Sequence, residues 1–142
     1  MESVKPMNDI TAFFGEVIHT YTRAQAIEDG YLVDVSETAR EAGFIWPVAM
    51  TRAVWEDCVE WCDEDSKRQT HQDLSGRLWD VLWMAYIGIK HAKHGGTQLM
   101  FQLYRVPRGG RKTKPRLVTL KLVTGPGDDA EPVVTIMQPE ED

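Results

Sequence analysis

The sequence predicts an α+β domain, with N-terminal short helices and a long central helix packed on a C-terminal three-stranded antiparallel β-meander. Apolar residues recur at three- and four-residue spacing between residues 74 and 92, which indicates one long amphipathic helix. After Gly96 the apolar period shortens to two in three separate segments, and turn residues fill the short links between them. Helices followed by consecutively paired strands are typical of the α+β class.

Composition indicates one soluble domain. The chain has 142 residues, of which 42% are hydrophobic and 27% are charged. No apolar run approaches the roughly 18 residues that cross a bilayer, and residues 1–6 lack the pattern of an export signal. We therefore expect a cytoplasmic protein without membrane contact. Residues 1–11 are predicted to form a flexible arm, residues 12–138 the domain, and residues 139–142 an acidic tail.

The first elements are short. Residues 17–21 are β-branched and aromatic, which favours a strand. Thr22 and Gln25 have the spacing of a capping box, so a helix is predicted over residues 23–29, ending at Gly30.

A similar unit follows immediately. Residues 31–35 are predicted to be a strand or an extended connection, and Ser36 is predicted to cap a helix over residues 37–42 that ends at Gly43. Residues 44–47 form an apolar connection, which Pro47 keeps out of a helix.

Thr51 is the predicted cap of a third helix, residues 52–62, and residues 63–72 are predicted to be a polar surface loop. The inner face of this helix comprises Val54, Trp55, Cys58, Trp61 and Cys62. Cys58 and Cys62 are four residues apart, so we expect two buried thiols in preference to a disulfide.

The central helix is predicted over residues 73–95, with Asp73 or Ser75 as its cap and Gly95 at its end. One apolar stripe comprises Leu74, Leu78, Val81, Leu82, Ala85, Ile89 and Ala92. A neighbouring aromatic stripe comprises Trp79, Trp83 and Tyr86. The opposite face comprises Arg77, Asp80, Met84 and His91. Together the two stripes cover about half the circumference, which predicts a core helix. The strands are predicted over residues 98–106, 116–124 and 132–137.

Charge is segregated along the chain. Residues 1–97 hold 16 acidic and 9 basic residues, residues 98–127 hold 7 basic residues and no acid, and residues 128–142 hold 6 acids and no base. The formal net charge is −6. Such segregation bears on partners and long-range fields, not on the fold.

The basic loop over residues 105–116 is the strongest candidate binding site. Its cations are Arg105, Arg108, Arg111, Lys112, Lys114 and Arg116. They can neutralise phosphates or an acidic protein surface, and Gly109 and Gly110 let backbone N–H groups approach an anion. Phe101 and Tyr104 can offer stacking surfaces, although packing in the sheet is the commoner use of such residues. The alternative is that the loop is only solvated and discourages edge pairing.

A second candidate surface is the acidic helix around residues 52–65. Its acids are Glu56, Asp57, Glu60, Asp63, Glu64 and Asp65. Such a row can imitate nucleic acid toward a basic protein, although it is also typical of the wet face of an amphipathic helix.

The residues favour a non-catalytic protein. Phosphate-loop, nucleophile-elbow and His-Glu-x-x-His patterns are missing. A zinc site at Cys58 and Cys62 would need a distant histidine, so we expect neither metal nor cofactor. His91 and His94 are better explained by the carbonyl end of the central helix.

Two resemblances bear on function. Residues 19–21, which are His, Thr and Tyr, together with residues 27–32 weakly resemble the opening of toxin-type ADP-ribosyltransferases, which implies nicotinamide dinucleotide binding as the alternative function. More extensively, residues 21–30, 37–44, 78–84, 101–107 and 116–127 resemble a family of uncharacterised bacterial proteins carried on plasmids and integrative conjugative elements. That family resemblance implies an accessory role in a mobile element, with anti-defence activity as one form. We therefore expect an interaction module that contacts a protein or nucleic acid.

Overall fold

The computed structural model describes residues 21–93 and 95–142, which form a five-stranded mixed sheet and the helices packed on it. In chain order the elements are α1 (Arg23–Glu28), β1 (Leu32–Asp34), α2 (Ser36–Ala42), β2 (Val48–Thr51), α3 (Arg52–Val54), a π-helical segment (Trp55–Val59), α4 (Asp63–Arg68), α5 (Leu74–Lys90), β3 (Gln98–Arg105), β4 (Arg116–Pro126) and β5 (Pro132–Met137). The predicted α+β class is confirmed.

The predicted meander is part of a larger sheet. β3 pairs antiparallel with β4, and β4 pairs antiparallel with β5, as the turn-rich links indicate. The sheet continues beyond β5, however, and its strand order is β1-β2-β5-β4-β3. Since β2 runs parallel to β5, the prediction of a wholly antiparallel three-stranded sheet is wrong.

The sequence does not predict strand β2, because both faces of this strand are covered. Val48, Ala49 and Met50 are all fully buried, so the strand shows no alternation of apolar and polar residues. Its backbone is held at the start, where the Val48 amide donates to the Ser36 hydroxyl at 3.0 Å. A buried strand of four residues is too short to be told from an apolar connection.

Helix α5 lies across the inner face of the sheet, as predicted. Val81, Leu82 and Ala85 are fully buried and belong to the same core as Leu120 and Ile136. A Cβ on Gly88 would lie 3.3 Å from Phe101 Cβ and 3.4 Å from Leu99 Cδ1, so the glycine permits close approach to β3. Asp73 caps the helix, because its side-chain Oδ1 accepts a hydrogen bond from the Gly76 amide at 2.7 Å.

The prediction of which side chains of α5 are buried is partly wrong. Trp79 and Trp83 remain 36% and 41% exposed, and their rings stack on each other with centroids 6.0 Å apart. Arg77, which the helical pattern assigns to the wet face, is only 5% exposed. The helix also ends at Lys90, one turn earlier than predicted.

The helix ends near the N-terminus are set by local hydrogen bonds. The predicted capping box of Thr22 and Gln25 is confirmed. Ser36 is not a cap, because its amide and hydroxyl both donate to Asp34 Oδ1. Gly43 ends α2 with a φ of +123°, and a Cβ there would lie 2.6 Å from the Tyr86 ring.

The third predicted helix is shorter and less regular than its sequence suggests. Thr51 caps it as predicted, but α3 widens after Val54 into the π-helical segment, whose closing bond joins the Glu60 amide to the Trp55 carbonyl at 2.8 Å. The predicted surface loop over residues 63–72 instead contains α4. Its first turn carries three acids, which favour a helix N-terminus.

Several predictions lie outside the described residues, namely the arm over residues 1–11, most of the strand over residues 17–21, and His94. Tyr21 itself is described and is not in a strand. Among the described helices, none has the length and apolar character needed to span a membrane.

Candidate interaction surface at the basic hairpin

The basic loop between β3 and β4 is docked against α4. Arg108 Nε lies 2.8 Å from Asp65 Oδ2, and its Nη1 lies 3.5 Å from Glu60 Oε1. Arg68 Nη2 lies 2.5 Å from Asp65 Oδ1, and Arg68 Nε donates to the Gly110 carbonyl at 3.1 Å. The two candidate surfaces of the sequence, one basic and one acidic, therefore contact each other within the same chain.

Gln69, at the end of α4, holds the loop backbone at three points. Its Nε2 donates to the carbonyls of Pro107 at 2.8 Å and Lys112 at 2.7 Å, and its Oε1 accepts from the Gly109 amide at 2.8 Å. Gly109 and Gly110 have φ angles of +119° and +61°, which residues other than glycine rarely adopt. The loop is thus fixed by its own turn residues and by one amide side chain.

Asp65 is the buried acceptor at the centre of this contact, with 1% of its surface exposed. Burial pushes the pKa of Asp65 upward, but hydrogen bonds from the Cys62 amide and from Arg108 outweigh burial and lower the pKa to about 2. The same bond raises the pKa of Arg108. Both groups therefore stay ionised at neutral pH, and the contact is a charge-assisted one.

A second ion pair fixes the base of the hairpin. Arg105 Nη2 lies 3.0 and 3.1 Å from the two carboxylate oxygens of Asp57, in the π-helical segment. Arg105 is directly opposite Arg116 in the β3–β4 register, where two like charges are destabilising. Asp57 compensates the charge of Arg105 and leaves that of Arg116 without an acidic partner among the described residues.

Arg77 ties the π-helical segment to the same strand end. Its Nε donates to the Val59 carbonyl at 3.1 Å and its Nη1 to the Val106 carbonyl at 2.9 Å, while its guanidinium lies 4.5 Å from the centre of the Trp61 ring. Burial lowers the pKa of Arg77. Sequence reasoning missed both Arg77 and Gln69, because neither residue stands out without knowledge of the backbone carbonyls that surround it.

The six predicted binding residues therefore fall into two groups. Arg105 and Arg108 form ion pairs within the chain, although Arg108 is itself exposed, whereas the other four are exposed and have no ion pair within residues 21–93 and 95–142. Arg111, Lys112 and Lys114 lie in the loop between β3 and β4, and Arg116 is the first residue of β4.

The acidic row does not exist as one helical face. The break at residues 60–62 separates the π-helical segment from α4, so the six acids do not follow one helix. Asp57, Glu60 and Asp65 face the hairpin cations. The prediction of one continuous acidic helix is wrong.

The two aromatic residues considered for stacking, Phe101 and Tyr104, differ in their exposure to solvent. Phe101 is 6% exposed and faces α5 in the core, so it serves the sheet packing that is the commoner use of such residues and not stacking. Tyr104 is 67% exposed on the opposite face of the sheet.

The described residues assemble little of the chemistry that catalysis needs. Burial, followed by the charge of Asp57, raises the pKa of the Cys58 thiol to about 12, so that thiol stays protonated. Cys62, predicted to be buried, is exposed. No group of three His, Cys, Asp or Glu side chains in the part of the chain that the structure describes is placed to hold a metal ion.

One cleft lies away from the hairpin, between the C-terminal end of α5 and the sheet. Its volume is about 530 Å³, and its walls include Phe44, Trp46, Tyr86, Ile89 and Leu99. Among the described residues that line it, Lys93 is the one charged side chain. An acid–base pair is therefore not assembled there.

The segment that resembles ADP-ribosyltransferases is only partly described. His19 lies outside the described residues. The Tyr21 hydroxyl donates to Asp29 Oδ2 at 2.5 Å, and this bond raises the pKa of Tyr21 to about 12. That hydroxyl is engaged within its own segment.

The fold and the hairpin define an α+β protein whose single mixed sheet presents an ion-paired basic loop. More particularly, the chain belongs to DUF6573, a family of unknown function, whose model matches residues 7–142. Comparisons with curated proteins and with solved structures found no match. The resemblance to an uncharacterised family is thereby confirmed, while its association with plasmids and conjugative elements stays a prediction.

Proposed function

We propose that this protein is a non-catalytic interaction module that binds an anionic partner through Arg111, Lys112, Lys114 and Arg116. The observation that carries the proposal is the division of the loop cations. Two of the predicted six are neutralised by Asp57 and Asp65, and four remain exposed on a loop that is already fixed.

Fixing the loop in advance favours binding. A flexible basic loop loses conformational freedom when it meets a partner, at a cost of about 0.5–1.5 kcal/mol for each side chain that is immobilised. Here Gln69 and Arg68 already hold the loop backbone, so only the four cationic side chains remain to be ordered.

The net charge of −6 does not oppose this function at short range. The Debye length is about 8 Å at physiological ionic strength, so acids on distant parts of the molecule are screened. The acids nearest the loop, Glu60 and Asp65, are in contact with Arg108. An anionic partner at the loop therefore meets Arg111, Lys112 and Lys114, with Arg116 beside them at the start of β4.

The proposal extends to biological setting. The resemblance of residues 21–30 and 116–127 to proteins carried on bacterial plasmids and integrative conjugative elements supports an accessory role in a mobile element. Such elements meet host defence proteins and host nucleic acid, so an anti-defence factor that acts by binding belongs to the same proposal.

The test is retention on immobilised heparin, a polyanion that needs no knowledge of the natural partner. The variant replaces the four outward cations with glutamine (R111Q, K112Q, K114Q and R116Q). The matched control replaces four exposed cations elsewhere (R40Q, K67Q, K90Q and K93Q) and has the same net charge. We expect the native protein and the control to be retained at low salt and the loop variant to flow through, with unchanged thermal midpoints.

Equal retention of the loop variant and the control would contradict the proposal. So would failure of the native protein to bind heparin at low salt. Because both variants lose four positive charges, a difference between them reports the position of the charges and not their number.

A further inference from the structure

We infer that the anionic partner is single-stranded nucleic acid, which lies across the outer face of the β3–β4 hairpin with a base stacked on Tyr104. This inference rests on the proposed function, since the phosphates are held by the same four cations. It adds a chemical class of ligand and a second group of contact residues.

The outer face of the hairpin carries an exposed apolar surface. Tyr104 is 67% exposed, and Leu117, which is directly opposite it in the register, is 50% exposed. Met100 lies four residues earlier on the same face of β3 and is 51% exposed. Side chains of this size at adjacent positions offer the flat surface on which a base can stack.

Polar groups sit between the two apolar ends of this surface. The Gln102 side-chain amide donates to the Thr119 hydroxyl at 3.2 Å, and the two residues are paired in the register. Both side chains have further donors and acceptors that can meet base edges. Met100 and Tyr104 are about 13 Å apart along the strand, which leaves room for two or three bases.

Most of the cations lie at the Tyr104 end of this face. Arg111, Lys112 and Lys114 occupy the loop beyond Tyr104 and Leu117, whereas Arg116, which is paired with Arg105 at the start of β4, lies on the other face of the hairpin. At the other end, Lys121, opposite Met100, donates to the Glu141 carbonyl and is covered by the acidic C-terminal residues. The charge distribution therefore directs phosphates toward the loop and away from the tail.

A single strand fits this surface better than a duplex or an acidic protein. In a duplex the faces of the bases are stacked on one another and are not available to Tyr104. An acidic peptide satisfies the cations but makes no use of an exposed aromatic ring beside them. The combination of one stacking ring and adjacent cations is typical of single-strand binding.

The experiment measures fluorescence anisotropy of a labelled oligothymidylate, with a duplex of the same length and heparin as further ligands. The variant is Tyr104→Ala, and Tyr104→Phe retains the ring. The matched control is Tyr31→Ala, because Tyr31 is also 67% exposed but precedes β1, at the opposite edge of the sheet from β3. We expect Tyr104→Ala to weaken oligothymidylate binding about ten-fold and to leave heparin binding unchanged, while the other two variants bind like the native protein.

The outcomes separate this inference from the proposed function. If the native protein binds heparin through the four cations but binds duplex as tightly as single strand, with no effect of Tyr104→Ala, the inference is overturned and the proposed function stands. Selective binding of an acidic peptide over oligothymidylate has the same meaning. Loss of all polyanion binding in the native protein overturns both.

Discussion

At the scale of single residues, Asp65 has the largest role in shaping the hairpin. It is buried, accepts hydrogen bonds from Arg68, Arg108 and the Cys62 amide, and keeps a pKa of about 2. A buried carboxylate is tolerated only when such partners replace its hydration. Asp65 therefore fixes the loop through charge and not through apolar contact.

We expect Asp65→Asn to lower the free energy of unfolding by about 2 kcal/mol, because it weakens two hydrogen bonds between charged groups. Chemical denaturation at neutral pH measures this change. Glu64→Gln is the control, since Glu64 is the exposed neighbour on the same helix and should change stability little. Equal effects of the two substitutions would argue against Asp65 as the central acceptor.

The pKa of Asp65 predicts that the stability of the fold depends on pH. Because the folded pKa of Asp65 lies near 2 and its ordinary value is 3.8, its ionisation stabilises the fold fully above the ordinary value, and this stabilisation is lost as the pH falls through the folded value. The stability difference between the native protein and Asp65→Asn should therefore shrink between pH 4 and pH 2. A difference that stays constant over this interval would show that the charge of Asp65 is not responsible.

At the scale of elements, a short helix and a β-hairpin stabilise each other through backbone contacts. Gln69, the residue after α4, bonds the loop at Pro107, Gly109 and Lys112. A helix of six residues is too short to be stable alone. The hairpin therefore supports α4 as much as α4 supports the hairpin.

We expect Gln69→Ala to speed hydrogen exchange at the Gly109 amide about five-fold or more, since it removes the acceptor for that amide. Exchange measured by NMR gives this rate, and Gln102→Ala on the outer face is the control. Unchanged protection of Gly109 would mean that other contacts hold the loop.

How well each element could be predicted depends on the range of the interactions that form it. β3 alternates between exposed and buried residues, turn residues separate β3, β4 and β5, and the start of α1 depends on a capping box four residues long, so local sequence was sufficient. β2 is covered on both faces, and the π-helical segment meets the buried Arg77 through its carbonyls. Those features depend on residues distant in the chain, which local patterns do not report.

For the candidate site, the sequence located the cations but not their division into two groups. Arg105 and Arg108 are chemically equivalent to Arg111 and Arg116 when read in sequence. Only the approach of Asp57 and Asp65, more than 40 residues away, separates them.

At the scale of the whole molecule, the charges that are segregated along the chain divide into ion pairs within the fold and cations that stay exposed. The acidic N-terminal part and the basic hairpin meet at α4, so part of the opposite charge is neutralised inside the fold. What remains at the loop tip is positive in a protein of net charge −6. A local field of this kind steers an anionic partner to one place on the surface.

The division of the cations is tested most directly by the salt dependence of heparin binding in two single variants. The slope of log affinity against log salt reports the number of ion pairs made with the polyanion. We expect Lys114→Gln to reduce this slope at an unchanged thermal midpoint, and Arg108→Gln to leave the slope unchanged while lowering the midpoint. A reduced slope for Arg108→Gln, with no effect of Lys114→Gln, would contradict the assignment of internal and outward cations.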